Sequence, residues 1–548
     1  MDRRSTLRLA RVLREETERA MQTMRIPGHP RPYFLSHLLR HDEEWHIAAK
    51  YGALTLDQHE VRRTDLCDVR VGSWRRDQVR GGGLRDYSTD LESYDLVRLP
   101  FGGATDGLRY GLWRLTEAKY REAIDDLLHK KAVELNFLDQ HRSLGAFEKR
   151  APREDVRWTS LAPLDREKWR DFVLKASASL KRYPLFRDGH VRVDATNAIR
   201  VFVDSDGSLV VQCTPYRTVE LYVWYLSEKG LVFPQTKSWF VRDEAELPSL
   251  KEVRRWIGKL HRRAERLTAA PQLRSFSGPV LLDPRPAGLL IHEAVGHRLE
   301  GSRLLSDGEG QTFRDARGQE VLPPGLSIWD DPTLSEFEGQ SLVGSYAYDD
   351  EGMPAARADL VTDGVLRGFL TSRTPVEKGH QSNGHGRSAH HARPISRMGV
   401  TVVEADAGLS EEALFERFLE EIREQGVPYG IRILEAFGGE TTTEAYDFQA
   451  FLGEIDLAAR VYPDGRQELV RGVDFVGTPL NAIRGIVAAS ERREVDNAYC
   501  GAESGYVPVS TISPALLVEE LELQSKPSRP MTQYAYPIPW EAERDAEK

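Results

Sequence analysis

A stretch rich in proline and glycine at residues 271–287 constrains this fold more than any other feature of the sequence. Its breaker residues are Pro271, Gly278, Pro279, Pro284 and Pro286. Residues that interrupt regular structure at this density mark the junction between domains. Because a chain of 548 residues exceeds what a single hydrophobic core organises, we place a domain boundary near residue 272.

The two sides of this boundary differ in their predicted elements. Apolar positions at helical spacing predict helices at about 8–24, 114–135, 250–269, 410–425 and 478–492. Apolar–polar alternation and turn signals such as Asp206-Gly207 predict strands at 66–73, 199–204, 208–213, 280–282, 358–362, 365–371, 398–405, 430–436, 453–462 and 467–475. We therefore predict an α+β protein with an N-terminal mixed α/β domain over 1–271, a C-terminal β-rich domain over 272–526 and a proline-containing charged tail over 527–548.

Charge and cysteine content argue against several classes of function. The formal net charge is −10, from 75 basic and 85 acidic residues, whereas a protein that neutralises phosphates needs a clustered basic excess. We therefore expect no nucleic-acid partner. Three cysteines spread over the chain form no disulfide framework, which favours a reducing, cytoplasmic location. We also expect no signal peptide and no membrane span, because no apolar run reaches about 18 residues.

Residues 288–301 carry the motif that points most directly to chemistry. They contain His292, Glu293 and His297 in the pattern His-Glu-x-x-x-His, directly after an apolar run. Neutral imidazoles bind zinc, and an adjacent carboxylate accepts a proton from metal-activated water. Helices with the related pattern H-E-x-x-H divide the work in this way. On pattern alone, a surface histidine pair on an amphipathic helix is an equal alternative.

The spacing between the two histidines predicts a local distortion of the helix. On an ideal α-helix, five residues separate His292 from His297 by about 140°, so both could not easily bind one ion. A π-type turn would return them to one face, and such bulges are frequent at functional sites. Gly296 precedes the second histidine, where the backbone is easiest to distort. We therefore predict a widened turn between residues 292 and 297.

A catalytic zinc ion needs a third protein ligand, and the residues leave its identity open. The candidates are Glu300, Asp349, Asp350 and Cys500. Glu300 is also placed to hydrogen-bond the far nitrogen of a ligand histidine. Cys500 lies 203 residues after His297 in a loop-like setting before a predicted strand, and buried cysteines usually serve as small apolar residues.

The sequence resembles the TldD/PmbA peptidases, also called modulators of DNA gyrase, and within them the TldD-type branch with an intact motif. The resemblance covers about 275–525. It rests on the segments 292–301, 348–352, 383–387, 393–398, 500–501 and 507–509. The N-terminal half departs from the family more, over 1–45 and about 145–195.

The resemblance implies a zinc-dependent peptidase that acts on flexible or unfolded peptides. It implies Zn²⁺ bound by His292, His297 and Cys500, with Glu293 as general base and Glu300 beside a ligand histidine. It also implies a homodimer, or a heterodimer with a motif-less TldE/PmbA-type paralogue. A non-catalytic or regulatory partner subunit of such a complex is the alternative function.

A glycine-rich loop near residue 385 is a second candidate site. Asn383, Gly384 and Arg387 are candidates for holding a peptide backbone, although a tight turn with a solvated arginine is an equal interpretation. His385, His390 and His391 cluster in the same loop without a nearby carboxylate or cysteine. We expect these histidines to form a polar rim or plain surface rather than a second metal site.

Overall fold

The computed structural model of this chain describes residues 1–79, 98–134, 144–183, 185–305, 312–389, 392–441, 451–477, 479–526, 530–532 and 539. Apart from 530–532 and 539, the predicted tail 527–548 lies outside these residues, as do His390 and His391. Two large sheets organise the described chain, one with strands from 32–241 and one with strands from 276–525. The predicted α+β class is confirmed. No helix in the described ranges is both long and apolar enough to cross a membrane.

Seven α-helices flank these sheets within the described residues. They are α1 Arg3–Thr23, α2 Thr105–Glu134, α3 Arg166–Ala178, α4 Leu250–Ala269, α5 Pro284–Ala294, α6 Glu411–Glu424 and α7 Pro479–Arg484. The helix α4 shows why such segments are helical. The Ser249 side chain accepts a hydrogen bond from the Glu252 amide at its start, and Val253, Ile257 and Leu260 are buried at helical spacing.

The N-terminal sheet has seven strands and places helices on one face. Its strands are β1 Pro32–Lys50, β2 Ala53–Ser73, β3 Arg76–Asp77, β4 Glu154–Arg157, β5 Phe186–Asp204, β6 Leu209–Leu226 and β7 Val232–Val241. The order is β3-β2-β1-β5-β6-β4, with β7 also paired to β6, and all pairs except β4–β6 are antiparallel. Buried side chains on one face, such as Ile47 and Val193, pack against α3 and α4. Those on the other face, Leu38 and Phe202 among them, pack against Tyr348 of the C-terminal half.

The C-terminal half is built on an eleven-stranded sheet and two short two-stranded sheets. Its strands are β8 Phe276–Leu282, β9 Leu326–Asp330, β10 Glu336–Phe337, β11 Gln340–Ser341, β12 Ala358–Thr362, β13 Val365–Leu366, β14 Gly386–Arg387, β15 Ile395–Ser396, β16 Val400–Ala405, β17 Gly430–Thr441, β18 Phe451–Val461, β19 Gln467–Val470, β20 Val473–Gly477, β21 Ile486–Ala502 and β22 Gly505–Ser525. The strands β8, β17, β18, β20 and β22 pair in a closed ring. The helix α5 packs on this ring, where Leu290 and Ile291 join the core with Ile433 and Leu516.

Four predictions in this half differ from the structure. The strand predicted at 365–371 is only the two residues of β13, and the strand predicted at 467–475 is divided into β19 and β20. The segment 478–492 was expected to be helical, but α7 ends at Arg484 and the long strand β21 begins at Ile486. Cys500 was expected in a loop, but it lies in β21 and pairs with Val507 of β22. In the last two cases the reason is the hairpin of β21 and β22, because pairing along most of its length overrides local preference. The boundary near residue 272 stays a prediction.

Candidate metal centre

The helix α5 brings the first histidine of the motif into the core. Pro284 occupies its first turn, and an apolar face buries the helix against β17 and β22. Gly288 permits close packing, since a Cβ there would lie 3.2 Å from Thr511 Cγ2. His292 and Glu293 follow in the last turn, and both are buried. The sequence therefore places the two reactive side chains at the end of a rigid helix.

The predicted π-type turn between the histidines is wrong. The α-helix ends at Ala294, Val295 has φ −118° and ψ −53°, and a 3₁₀-helix runs from Gly296 to Leu299. The break is packed tightly, because a Cβ at Gly296 would lie 2.2 Å from Met398 Sδ. His297 therefore reaches the side of His292 from a separate turn instead of from a widened one.

Cys500 completes a cluster with the two histidines. Its Sγ lies 3.2 Å from His292 Nε2 and 3.4 Å from His297 Nε2. The two imidazole rings stand perpendicular with their centres 5.0 Å apart. One ligand atom from each of the three side chains lies within 4.8 Å of the others, and among the described residues this is the one group of three metal-ligating side chains so close together. Two imidazoles and one thiol form a donor set that suits zinc.

The charges in this cluster favour a thiolate. Burial alone would raise the pKa of the Cys500 thiol, but His297, His292 and Arg397 hold that pKa well below its usual range. Burial likewise lowers the histidine pKa values, yet the proximity of Cys500 raises the pKa of both imidazoles. A thiolate is the form of cysteine that binds a metal. The cluster therefore favours the thiolate form that a metal binds, whereas each histidine would have to release its proton to become a ligand.

Glu300 lies beside the His297 ring, next to the nitrogen that does not contact Cys500. Its Oε2 lies 3.2 Å from His297 Nδ1, on the side of the ring that faces away from Cys500, and accepts a hydrogen bond from Arg303 Nε at 3.0 Å. Burial by itself raises the pKa of this carboxyl, but His297, Arg303 and Arg397 bring it down to about 2. An anionic partner at Nδ1 fixes the tautomer and orientation of a ligand histidine. Glu300 is therefore placed to orient His297.

Asp349 and Asp350, the other candidates for a third ligand, lie elsewhere. Asp350 forms ion pairs with Arg200 at 3.2 Å and Arg40 at 3.5 Å, which join the C-terminal half to the N-terminal sheet. Asp349 accepts hydrogen bonds from backbone amides, including that of Gly386. Both are buried, and their contacts give them a structural role in the loops beside the N-terminal sheet.

Sequence reasoning gave Arg397 no role, although its segment was quoted for the family resemblance. Its guanidinium is fully buried and donates to the carbonyl of Cys500 at 2.7 Å and to Ser504 Oγ at 2.9 Å. Its Nε lies 3.4 Å from Glu300 Oε1. One arginine thus contacts both the backbone of the cysteine and the carboxylate behind His297. A buried-arginine role of this kind has no local sequence signal, since its contacts lie about 100 residues away.

A cleft of 670 Å³ opens onto the cluster, and Glu293 lies in its wall. Glu293 Oε2 is 3.9 Å from His297 Nε2, so the carboxylate faces the ligand atoms. The strand β17 passes directly over it, since a Cβ at Gly439 would lie 2.8 Å from Glu293 Cγ. Residues of β21 around Tyr499, whose ring is exposed, also line the cleft. The cleft is therefore lined by β17, by β21 and by the cluster itself.

The glycine-rich loop is placed differently from the cluster. Arg387 is buried and donates to the carbonyls of Met398 and Pro508, while the Asn383 side chain bonds the backbone at Phe369 and Thr371. Gly384 has φ +75°. None of the predicted peptide-holding residues 383, 384 and 387 lines the cleft, so that role stays a prediction without support from their contacts.

The expectation that the loop histidines form a polar rim or plain surface is wrong for His385. Its ring is fully buried, with Nε2 3.1 Å from Asp330 Oδ1. Its Nδ1 lies 2.8 Å from Asn383 Oδ1. A histidine buried between a carboxylate and an amide fixes the loop from inside.

The C-terminal half of the chain is similar in sequence to metallopeptidases. A profile of the PmbA/TldA metallopeptidase C-terminal domain matches residues 275–525. A metalloprotease of Archaeoglobus fulgidus is 33% identical over 43% of this chain and 51% of its own length. A metalloprotease of Methanothermobacter thermautotrophicus is 25% identical over 84% and 96% of the two chains. A zinc metalloprotease TldD homologue of Saccharolobus solfataricus is 27% identical over 45% and 51%. The first and third matches thus span about half of the relative.

The fold also has counterparts among crystal structures. TldE from Thermococcus kodakarensis superposes with a TM-score of 0.58 over 90% of this chain and 97% of its own, at 13% identity. A Thermotoga maritima protein described as a modulator of DNA gyrase gives the same score over 89% and 96%, at 15% identity. At this identity the likeness concerns the fold alone. The sequence similarity is thus to the C-terminal domain of PmbA/TldA metallopeptidases, over residues 275–525 of this chain.

Proposed function

We propose that this chain is a zinc-dependent peptidase that hydrolyses flexible or unfolded peptides. The observation that carries the proposal is the convergence of His292, His297 and Cys500 beside Glu293 in the lining of one cleft. Two imidazoles and a thiolate would hold the ion and leave one coordination position open, as catalytic zinc sites do. The metalloprotease names of several relatives support the same chemistry.

In this proposal Glu293 moves the proton. A zinc ion at the cluster would act as a Lewis acid toward a peptide carbonyl and would make a nearby water molecule more acidic. The Glu293 carboxylate accepts a proton from the attacking water and later delivers it to the nitrogen of the leaving amine. Its position 3.9 Å from His297 Nε2 suits both transfers. Glu300 and Arg397 keep the ligands in place throughout.

The walls of the cleft suit an extended peptide. The strand β17 pairs with β8 only at residues 431–433, and no other strand of the described chain pairs with that edge at 435–441. This edge lines the cleft above Glu293. A peptide that adds to a strand edge binds through its own backbone, which tolerates varied side chains. Flexible peptides are the substrates that can adopt this form.

The assembly in this proposal is a homodimer or a heterodimer with a motif-less TldE/PmbA-type paralogue. The fold likeness to TldE supports such a pairing and also keeps the alternative of a non-catalytic or regulatory partner subunit. Light scattering of the purified chain, alone and mixed with a paralogue, distinguishes the two assemblies. The location of the protein in the cytoplasm stays a prediction.

The test of the function compares the wild type with Glu293→Gln on an unstructured peptide, with zinc content measured for both. We expect one bound zinc per chain in both proteins and loss of cleavage in the variant, because glutamine cannot accept the proton. A matched control is Glu416→Gln on α6, where the same substitution falls on an exposed residue. Equal cleavage by wild type and Glu293→Gln would contradict the role of this residue. No cleavage by the zinc-loaded wild type, alone or with a paralogue, would favour the partner-subunit alternative.

A further inference from the structure

A second pocket, of 260 Å³, lies between α4 and the strands β17, β18 and β19, which contribute Glu435, Leu457 and Leu469 to its lining. Four cationic residues of α4 and one acidic residue of β17 carry its charge. We name this set the basic pocket, and its charged members are Lys259, Arg262, Arg263, Arg266 and Glu435. Three more positive than negative charges concentrate here in a chain whose net charge is −10. Such a local excess attracts an anion.

Arg263 lies at the buried end of the basic pocket, between two carboxylates. Its side chain is only 10% exposed, and one terminal nitrogen donates to Glu435 Oε2 at 2.6 Å. Its Nε and its other terminal nitrogen are buried without any hydrogen bond, and the latter lies 3.6 Å from Asp456. Both nitrogens are covered from solvent, so Arg263 adds positive charge beneath the pocket, and an incoming carboxylate meets the exposed Lys259, Arg262 and Arg266.

The surroundings favour a carboxylate over a nucleotide. The only aromatic side chain of the pocket is Trp256, and its ring already has Lys259 Nζ at 4.2 Å and Lys237 Nζ at 4.8 Å from its centre. A nucleotide base would need that ring as a stacking surface. Lys259, Arg262 and Arg266 are exposed at the mouth of the pocket, where they can attract a charged group from solvent.

The strand β17 links the basic pocket to the metal cleft. Glu435 lines the pocket, whereas the next residues, 436–441, line the cleft, with Gly439 against Glu293. Glu435 also raises the pKa of Arg285 in the cleft, after the larger effect of Asp496, which shows that the two sites are electrostatic neighbours. A strand advances about 3.3 Å per residue, so Glu435 lies about 13 Å along β17 from Gly439, the residue against Glu293. This is the length of about four residues of an extended peptide.

We infer that the basic pocket binds a carboxylate of the peptide substrate, about four residues from the bond that is cut. This inference rests on the proposed function and gives it a preference among flexible peptides. Backbone pairing along β17 accepts any sequence, and the pocket selects those with a carboxylate at the right distance. The source of the carboxylate is a Glu or Asp side chain or the free C-terminus of the peptide.

The test uses unstructured peptides that differ only by Glu or Gln at successive positions on either side of the cleaved bond. C-terminally amidated copies separate a side-chain carboxylate from the terminal one. We expect kcat/KM to be about tenfold higher for Glu about four positions away, as several exposed ion pairs together would give. The preference should shrink at high salt, because exposed charges are screened.

A triple variant, Lys259→Gln/Arg262→Gln/Arg266→Gln, should bring the Glu-to-Gln ratio of kcat/KM close to one. Its matched control is Lys251→Gln/Arg254→Gln/Arg255→Gln, which removes the same charge from the start of the same helix, outside the pocket. The control should keep the full ratio. An equal loss in both triple variants would reduce the effect to general charge and overturn the inference.

Peptide binding measured on Glu293→Gln by fluorescence anisotropy separates this inference from the proposed function. Tighter binding of the Glu peptide that vanishes in the triple variant supports the pocket, whether or not the wild type cleaves. Equal binding of Glu and Gln peptides overturns it, even if the wild type cleaves both. Binding of a free acetate or phosphate ion without any peptide preference would also overturn it, since the pocket would then be a site for small anions only.

Discussion

Two adjacent glycines of β17 provide a sharp test of the position of Glu293. A Cβ at Gly439 would lie 2.8 Å from Glu293 Cγ and 3.1 Å from its Oε1, whereas a Cβ at Gly438 would meet no atom within 4 Å. Ordinary contact begins at 3.4 Å. In Gly439→Ala the Glu293 side chain must therefore move by about 0.6 Å, the difference between 3.4 and 2.8 Å. A displacement of about 1 Å in a catalytic group can lower the reaction rate about 10²-fold.

We expect Gly439→Ala to lower kcat/KM about tenfold to a hundredfold, which corresponds to about 1.4–2.7 kcal/mol of transition-state stabilisation. Gly438→Ala should keep the wild-type value. Both changes reduce the backbone entropy of the unfolded chain by the same amount, so the comparison isolates the contacts of the new Cβ, which are with Glu293 and, at 3.0 Å, with Leu289 Cδ1. The assay is steady-state cleavage of an unstructured peptide, with zinc content and melting temperature measured for each variant. Equal activity of the two variants, with zinc retained, would refute the assignment of Glu293 as the base held under β17.

Three other predictions concern the supports of the site and the charge beside the basic pocket. Arg397→Met should weaken zinc binding about 10–100-fold, measured by competition with a chromophoric chelator, because it removes the contacts to Glu300 and the Cys500 carbonyl; unchanged affinity would contradict its positioning role. Burial raises the pKa of the Asp456 carboxyl from 3.8 to about 6. Between these two pH values the folded protein keeps a proton that the unfolded protein releases, so the free energy of unfolding falls as the pH rises from about 4 to above 6. The free energy of unfolding of Asp456→Asn, measured in urea, should therefore rise by up to about 3 kcal/mol relative to that of the wild type across this pH range. If the difference between the two proteins did not change with pH, the raised pKa of Asp456 would be contradicted. Removal of zinc by a chelator should lower the melting temperature of the wild type by several degrees and that of Cys500→Ser by less, since a ligand that binds only the folded state stabilises it; an equal shift in both would speak against Cys500 as a ligand.

Local patterns predicted the elements that depend on local energetics. The helix α4 spans 250–269 as predicted, because its apolar spacing and the capping Ser249 act within a few residues. The hairpin turn at Asp206-Gly207 was placed correctly for the same reason. However, the strands on either side run to Phe186 and Leu226, far beyond the predicted 199–213. Strand length is set by partners across the sheet, which local alternation does not reveal.

The predictions that the structure contradicts concern residues whose conformation depends on contacts far away in the sequence. Residues 486–502 look helical in part, yet they pair with β22, so Cys500 occupies a strand that local preference did not indicate. The angular argument for His292 and His297 assumed one helix, and packing of Gly296 against Met398 ends that helix instead. Arg397 acts through contacts about 100 residues away, and no spacing rule identifies such a residue.

The ligands themselves could be named before the structure only in part. The motif supplied His292, Glu293 and His297, whereas Cys500 came from the family resemblance among four candidates left open by the residues. The structure brings Cys500 within 3.4 Å of both imidazoles and Glu300 behind one of them. Their role as ligands stays a prediction until a metal is observed.

A crystal structure of the zinc-loaded protein, with anomalous diffraction collected at the zinc edge, tests the central claim most directly. We predict one anomalous peak about 2.3 Å from Cys500 Sγ and about 2.0–2.1 Å from His292 Nε2 and His297 Nε2, with Glu293 beside it. A peak elsewhere, or one without the sulfur among its ligands, would contradict the account.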